Sequence, residues 1–155
     1  MKNKNTLFWF FKGRSHKNRK TNAKNIHYYT YRKLALSIIK NRTEYWANVM
    51  HLQYNSITIR NQKTRWGSCS CKKNLNFNYR LIFLPVHLLD YIVIHELCHL
   101  KEMNHSKKFW LCVQELVPDY KNCIKEVRFY EKCKNIEKFG FLEENKKDLN
   151  QTKQV

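Results

Sequence analysis

The sequence predicts one α+β domain, in which a small antiparallel sheet packs on a buried helix and further helices complete the core. Three patterns predict it. Apolar residues recur at helical spacing between about residues 29 and 50, residues 56–84 alternate apolar and polar side chains in short runs, and residues 86–103 are apolar on almost every face. A chain of 155 residues can bury one modest core but not two independent ones.

The first predicted helix carries an amphipathic stripe with a single polar interruption, Arg42. The apolar members recur at the spacing that places them on one face of a helix. They are Tyr31, Leu34, Ala35, Ile38, Tyr45, Trp46 and Val49. Before this helix, residues 1–25 form a polar, basic arm, whose aromatic cluster from Phe8 to Phe11 is expected to dock on another surface.

Residues 56–84 predict a small antiparallel meander. Runs rich in β-branched and aromatic residues are separated by tripeptides that suit turns. The runs are SITIRN, RWGSCS and NLNFNYRLIFL, and the turns are Gln62-Lys63-Thr64 and Lys72-Lys73-Asn74.

Three helices are predicted to follow the sheet. Pro85 suits the first turn of a helix, and the apolar run at 86–103 is expected to lie buried in the middle of the domain. Asn104 tolerates the left-handed conformation that ends helices, and Ser106 can cap the next helix. The last two helices are separated at Pro118.

Positive charge is concentrated in the first half of the chain. Residues 1–89 contain 18 Lys or Arg and one acid, whereas residues 90–155 contain 12 Lys or Arg and 11 acids, which together give the net charge of +18. A basic surface of this kind can bind nucleic acid or another polyanion. A composition rich in lysine and asparagine explains the asymmetry equally well, so a nucleic-acid partner stays an open alternative.

The sequence favours a soluble, cytoplasmic protein. The domain is expected to span residues 26–135, with a polar tail at 136–155, and no apolar run approaches the roughly 18 residues that a membrane helix needs. Reduced thiols are expected, because the six cysteines show no spaced framework and no export signal precedes them. Cys69 and Cys71 could be half of a metal site, but no second cysteine pair stands at zinc-finger spacing.

The stretch HELCH at residues 95–99 has the spacing of a catalytic metal site. On a helix, His95 and His99 stand one above the other with about 5–6 Å between their Cβ atoms, so their ring nitrogens can reach one zinc ion. Glu96 flanks that face and can act as general base on a water activated by the metal. A buried helix tolerates these three polar side chains only if they are satisfied, and one ion satisfies all three. The alternative is a pair of hydrogen-bonded core histidines.

A catalytic zinc ion usually has three protein ligands, and His105 is the expected third. Glu102 lies seven residues from His95, about 10 Å along a helix axis, which one ion cannot bridge. If the helix ends at Asn104, the chain can reverse and bring His105 back to the other histidines, which leaves Glu102 facing solvent or supporting a ligand. Later acids remain competitors for the third position: Glu115, Glu126 and Glu131.

These residues together predict metal-assisted hydrolysis of an amide bond. One zinc ion would polarise the carbonyl and lower the pKa of the attacking water, while Glu96 takes the proton and passes it to the leaving amine. The developing oxyanion also needs a donor. Four side chains are chemically able, and the spacing does not select among them: Arg65, Arg80, Tyr79 and Tyr130.

Four stretches in one order resemble the YgjP-like zinc metallopeptidases, which are related to the SprT-like proteases. They are IRNQKTRWGSCS at 59–70, NLNFNYRLIFLP at 74–85, YIVIHELCHLKEMNHSKKFW at 91–110 and LVPDYK at 116–121. The resemblance covers about residues 31–130. It implies a compact zincin-type core in which His95, His99 and His105 hold zinc and Glu96 is catalytic.

The resemblance also places the segment Arg65-Trp66-Gly67-Ser68 in the sheet near the cleft. Its edge is predicted to pair with an extended protein or peptide substrate, although packing and a tight bend explain Trp66 and Gly67 as well. Many relatives carry a longer β-rich N-terminal region, which leaves any substrate selection done there open. Two other functions stay open: a metal-dependent hydrolase of nucleotide phosphoanhydrides, and a nucleic-acid-binding module with structural zinc.

Overall fold

The structure, a computed structural model, describes residues 23–132 and confirms the α+β class. Its elements in chain order are α1 (Ala23–Val49), β1 (Ser56–Arg60), β2 (Gly67–Cys69), β3 (Asn74–Asn78), a 3-10 helix (Tyr79–Phe83), α2 (Val86–Cys98), α3 (Lys107–Leu116) and α4 (Tyr120–Lys132). The aromatic cluster of the predicted arm and the predicted tail lie outside the described residues, and the domain boundaries stay predictions. Within residues 23–132, no helix has both the length and the apolar character to span a membrane.

The sheet is mixed, so the predicted antiparallel meander is wrong in topology. Its strand order is β1-β3-β2, with β3 parallel to β1 and antiparallel to β2. The predicted turn near Lys72 and Lys73 does join β2 to β3 as a tight hairpin, and Lys73 takes a φ of 58° there. Residues 61–66 instead connect β1 to β2, which lie on either side of β3. The strand with the buried side chains Leu75 and Phe77 thereby becomes the central one.

The third predicted strand is also shorter than expected. It ends at Asn78, where the Asn78 side chain accepts a hydrogen bond from the Arg80 amide over 3.1 Å and starts the 3-10 helix. Apolar residues continue through this turn because Leu81 and Ile82 are fully buried in it. Alternation alone cannot separate a strand from a short buried helical turn.

Helix α1 begins at Ala23, before the predicted start near residue 29 and inside the predicted arm. Two contacts join this early part of the helix to the rest of the fold. The Tyr28 hydroxyl donates to the Ile59 carbonyl over 2.9 Å, and the His27 ring lies 3.1 Å from the Tyr79 hydroxyl. Tertiary contacts of this kind support a helix beyond its amphipathic stripe.

Helix α2 runs through the middle of the domain, as its apolar composition predicts. Leu88, Val93, Ile94 and Leu97 are fully buried in it. Its predicted C-terminal end at residue 103 is wrong, since the helix ends at Cys98.

The reversal after α2 is built differently from the one predicted. His99 caps the helix, and the Leu100 amide bonds the Leu97 carbonyl in a tightened last turn. Among non-glycine residues of the described chain, only His51 and Lys73 have positive φ, so the predicted left-handed Asn104 is also wrong. Ser106 caps α3 as expected by accepting from the Phe109 amide.

Candidate metal centre

The structure brings His95, His99 and His105 together on one side of α2. One ring nitrogen from each lies within 4.8 Å of the others, and the Nε2 atoms of His95 and His105 are 3.0 Å apart. Within residues 23–132, one group of three or more potential ligands could hold a metal ion, and it is this one. It contains no carboxylate.

The local chain path explains why these three imidazoles meet. His95 stands on the last turn of α2, and His99 follows one turn later as the C-cap. Residues 100–104 then form a compact reversal, in which the Glu102 amide bonds the Cys98 carbonyl over 2.9 Å. His105 therefore returns to the end of α2 immediately before α3 begins.

The ring of Phe109 packs against all three histidine rings, a contact that sequence reasoning missed. The ring of Phe109, with 0% exposure, has its centroid 4.9 Å from that of His95, 4.5 Å from that of His99 and 4.7 Å from that of His105. The Trp110 ring stacks on His105 with centroids 5.6 Å apart. Phe109 lies in the first turn of α3, whereas His105 precedes the Ser106 cap, so helical spacing in the sequence does not indicate the contact.

The hydrogen bond of His99 selects its tautomer. Its Nδ1 lies 3.1 Å from the Glu102 carbonyl oxygen, which can only accept, so Nδ1 carries the proton. Nε2 is then the unprotonated nitrogen with a free lone pair. Glu102 thus supports the cluster through its backbone rather than through its carboxylate, consistent with the prediction that it is no ligand.

Burial keeps two of the imidazoles neutral. The pKa of His95 falls to about 3, chiefly because the ring is desolvated and secondarily because His99 and His105 lie beside it. Burial also lowers the pKa of His99, against the opposing effect of its bond to the Glu102 carbonyl. Neutral imidazoles have the lone pairs that a metal ion requires.

Glu96 lies beside this cluster in an apolar environment. Its side chain is 5% exposed, and its Oε2 has no hydrogen-bond partner among the described residues. Burial raises its pKa to about 8, although the positive charge of Arg65 acts in the opposite direction. Burying a carboxyl group without a partner is unfavourable unless another group satisfies it.

The donor set fits a metal ion. Three imidazoles face one point, two of them are kept neutral by burial, and the neighbouring carboxyl group has an unused oxygen. Two imidazoles can satisfy one another by a single hydrogen bond, but a third at the same point needs a different partner.

The predicted substrate segment lies against Glu96 through Gly67. A Cβ atom built on Gly67 would stand 2.5 Å from Oε1 of Glu96 and 2.7 Å from its Cγ. Gly67 begins β2, Ser68 lies opposite Asn76 of β3, and Arg65 is exposed just before the strand. The segment therefore contacts Glu96 through Gly67, and a tight bend alone does not explain its glycine.

Two of the candidate oxyanion donors, Tyr79 and Arg80, contact each other. Tyr79 is buried with its hydroxyl near His27 of α1, and the Arg80 guanidinium lies over the Tyr79 ring at 5.3 Å. Arg65 is near enough to act electrostatically on Glu96. A tyrosine that sequence reasoning missed, Tyr91, lies beside the cluster, with its ring centroid 6.0 Å from that of His95.

The competing acids are placed elsewhere. Glu126 lies 2.9 Å from Nε2 of His87, at the opposite end of α2 from His95 and His99. Glu115 and Glu131 are exposed on α3 and α4. None of these three carboxylates belongs to the potential metal cluster.

Comparison with known proteins identifies the class of this small α+β fold with three histidines able to hold a metal ion: it is a metallopeptidase. The chain belongs to the YgjP-like family, whose metallopeptidase-domain model matches residues 11–128. This confirms the resemblance found in the sequence motifs.

A solved structure supports the same class. The crystal structure of the metallopeptidase zymogen of Pyrococcus abyssi abylysin is similar, with a TM-score of 0.52 and 26% identity, over 61% of this chain and 93% of that one. A search of the curated proteins found no match.

Proposed function

We propose that this protein is a zinc-dependent peptidase in which His95, His99 and His105 hold one zinc ion and Glu96 is the general base. The observation that carries the proposal is the convergence of three imidazole nitrogens within 4.8 Å of one another, one residue away from a buried carboxyl group. A histidine pair satisfied only by core hydrogen bonds would not need the third ring.

Zinc is the ion that this donor set suits best. Zinc sites of catalytic type have three protein ligands, often imidazoles, and keep one position open. Other divalent metals also accept imidazole, so the identity of the ion is part of the proposal. When bound, zinc would supply Lewis acidity, which polarises the substrate carbonyl and lowers the pKa of the attacking water.

Glu96 would move the proton. Its unpartnered Oε2 is free to accept the proton of the attacking water, and it can then donate that proton to the leaving amine. The pKa of about 8 that burial gives the carboxyl group in the metal-free chain falls near neutral pH, as a group that both takes and returns a proton requires. A nearby cation lowers that pKa, so bound metal would favour the ionised base.

Strand β2 would bind the substrate. It is an edge strand, because β3 pairs with one side of it and no strand of residues 23–132 pairs with the other. An extended peptide could add to that edge through backbone hydrogen bonds, with Gly67 and Ser68 opposite it and Arg65 and Trp66 at one end. Since Gly67 contacts Glu96, a peptide on this edge would lie beside the proposed base.

The first test is the metal content of the purified full chain, measured by elemental analysis. We expect about one equivalent of zinc, lost or much reduced in His105→Ala. His87→Ala is the matched control, since His87 is an exposed histidine on α2 that pairs with Glu126. Full retention of zinc in His105→Ala would contradict the three-histidine site.

The second test is cleavage of unfolded protein and of a peptide library by the zinc-loaded chain. Glu96→Gln should keep its zinc and lose turnover, because the amide preserves the shape but cannot accept the proton. Retained turnover in that variant would exclude Glu96 as the base. Hydrolysis of nucleoside triphosphates without any peptide cleavage would favour the alternative hydrolase.

A further inference from the structure

The segment that forms the sheet carries only positive charge. Residues 56–85 contain six basic residues and no Asp or Glu: Arg60, Lys63, Arg65, Lys72, Lys73 and Arg80. The acids of residues 23–132 all lie on the helices or on the connections between helices. The strand segment therefore contains no acid of its own that could balance these charges.

Three of these cations flank the open edge strand. Arg65 stands two residues before the first residue of β2, and Lys72 and Lys73 follow its last residue, Cys69, by three and four positions. All three are exposed, and none forms an ion pair with an acid of the described chain. A peptide lying along β2 would meet positive charge at both ends of the strand.

The backbone at the Arg65 end is held in place by a buried side chain. The Asn78 amide nitrogen Nδ2 donates to the carbonyl oxygens of Gln62 and Arg65 over 2.9 and 3.2 Å, and the Asn78 backbone amide donates to Trp66 over 2.7 Å. The base of the Arg65 side chain is thereby fixed before any ligand binds, which reduces the ordering that binding must impose.

The backbone at the lysine end is held in a similar way. The Lys73 amide donates to the Ser70 carbonyl over 2.8 Å, and the Lys73 carbonyl accepts from the Asn55 amide over 2.8 Å. Both groups of cations thus project from defined turns at the two ends of one strand.

Resting on the proposed function, we propose that the enzyme selects peptides with acidic side chains on the flanks of the cleaved bond, and that Arg65 is the main specificity-determining residue. Arg65 lies on the flank nearer Glu96, because Gly67 contacts the Glu96 carboxylate. Its planar guanidinium can bind a carboxylate through two hydrogen bonds. Lys72 and Lys73 add a second, less directional attraction at the far end.

The test compares two peptides of one sequence that differ only in having Glu or Gln at the positions flanking the cleaved bond. With the zinc-loaded full chain, we expect kcat/KM to favour the acidic peptide by about fivefold or more at low salt, mostly through KM, as one or two exposed ion pairs would give. High salt should reduce the ratio, because it screens exposed charges.

Variants locate the preference. Arg65→Gln should remove most of it and Arg65→Lys should keep part of it, whereas Arg60→Gln, on the opposite edge strand β1, should leave the ratio as in wild type. A Lys72→Gln, Lys73→Gln double variant should also reduce the preference for the acidic peptide, independently of Arg65. Equal kcat/KM for the two peptides, or a preference that neither salt nor these variants alter, would overturn the inference.

A binding measurement separates this inference from the proposed function. The anisotropy of fluorescently labelled peptides can be followed with zinc-loaded Glu96→Gln, which needs no turnover. If Glu96→Gln binds the acidic peptide more tightly while the zinc-loaded wild-type chain cleaves no peptide at all, the peptidase is overturned and the acidic preference is kept. Binding of a single-stranded oligonucleotide that depends on Arg65, with no preference between the peptides, would overturn the preference and identify the segment as a nucleic-acid surface.

Discussion

The α carbon of Gly67 packs against the Glu96 side chain so closely that any larger residue would occupy the space of the carboxyl group. A Cβ at position 67 would lie 2.5 Å from Oε1 and 2.8 Å from Cδ of Glu96. The contact joins the edge strand to the central helix. It sets where the Glu96 carboxyl group can lie relative to a peptide on that strand.

Gly67→Ala should therefore displace Glu96 while leaving the three histidines in place. We expect kcat/KM to fall by about 100-fold, since a shift of about 1 Å in a reacting group can have that effect. The zinc content should stay near that of wild type. The added methyl group should also lower the free energy of unfolding by about 1–3 kcal/mol.

A double variant provides the control for this interpretation. When Glu96 is shortened to Ala, the methyl group of Gly67→Ala has room, so the stability change should nearly vanish in that background. An equal loss of stability in both backgrounds, measured by urea unfolding, would show that Gly67 is required for another reason.

Glu96→Gln should stabilise the metal-free chain, and more so at pH 8 than at pH 5. The folded pKa of about 8 is above the ordinary value of 4.5, so folding favours the protonated carboxyl group. Its contribution to stability is complete below about pH 4.5 and is lost as the pH rises towards 8. Glutamine has no proton to lose there.

Melting temperatures of the chelator-treated proteins between pH 5 and pH 8 measure this effect. Glu115→Gln removes the same charge from an exposed position on α3 and should change little across the range. If the melting temperatures of Glu96→Gln and wild type depend on pH in the same way, then burial does not raise the pKa of Glu96 in the metal-free chain.

Sequence patterns predict local features of this fold better than its long-range ones. The buried helix, the Ser106 cap and the break at Pro118 each follow from one stretch of chain, and the structure agrees with them. The sheet order does not, because the insertion of β3 between β1 and β2 depends on which strand buries Leu75 and Phe77 rather than on turn length.

The same difference between local and long-range features applies to the candidate site. HELCH and the third histidine are local spacings on one helix and its reversal, so the sequence could suggest them. The contact between Gly67 and Glu96 and the position of Phe109 beneath the three rings join residues far apart in the chain or on a helix whose direction the sequence does not specify. Only the folded arrangement indicates them.

The ion pair between Arg42 and Asp90 should stabilise the folded protein more than an exposed ion pair on a helix does. Arg42 Nε and Nη2 lie 2.7 and 2.5 Å from the two carboxylate oxygens, which joins α1 to α2 at the one polar position of the α1 stripe. A double-mutant cycle with Arg42→Met and Asp90→Asn should give a coupling of about 1–3 kcal/mol.

The matched comparison lies on the same helix. Lys40 and Glu44 form an i, i+4 pair at 3.5 Å with both side chains about half exposed. Their coupling should be below about 0.5 kcal/mol. Similar values for the two cycles would mean that partial burial does not strengthen the Arg42 pair.

Asn78→Ala should destabilise the protein far more than Asn76→Ala, although both residues lie on β3. The buried Asn78 side chain donates to the carbonyls of Gln62 and Arg65 and accepts from the Arg80 amide, so its loss leaves these backbone groups without partners at a cost of about 1–3 kcal/mol. Within residues 23–132, the Asn76 side chain makes two hydrogen bonds, each at 3.4 Å, to Arg60 and Ser68. Urea unfolding of the two variants checks the difference. Equal destabilisation would show that the loop before β2 does not depend on Asn78, and Arg65 would then lack the fixed backbone on which its proposed selectivity depends.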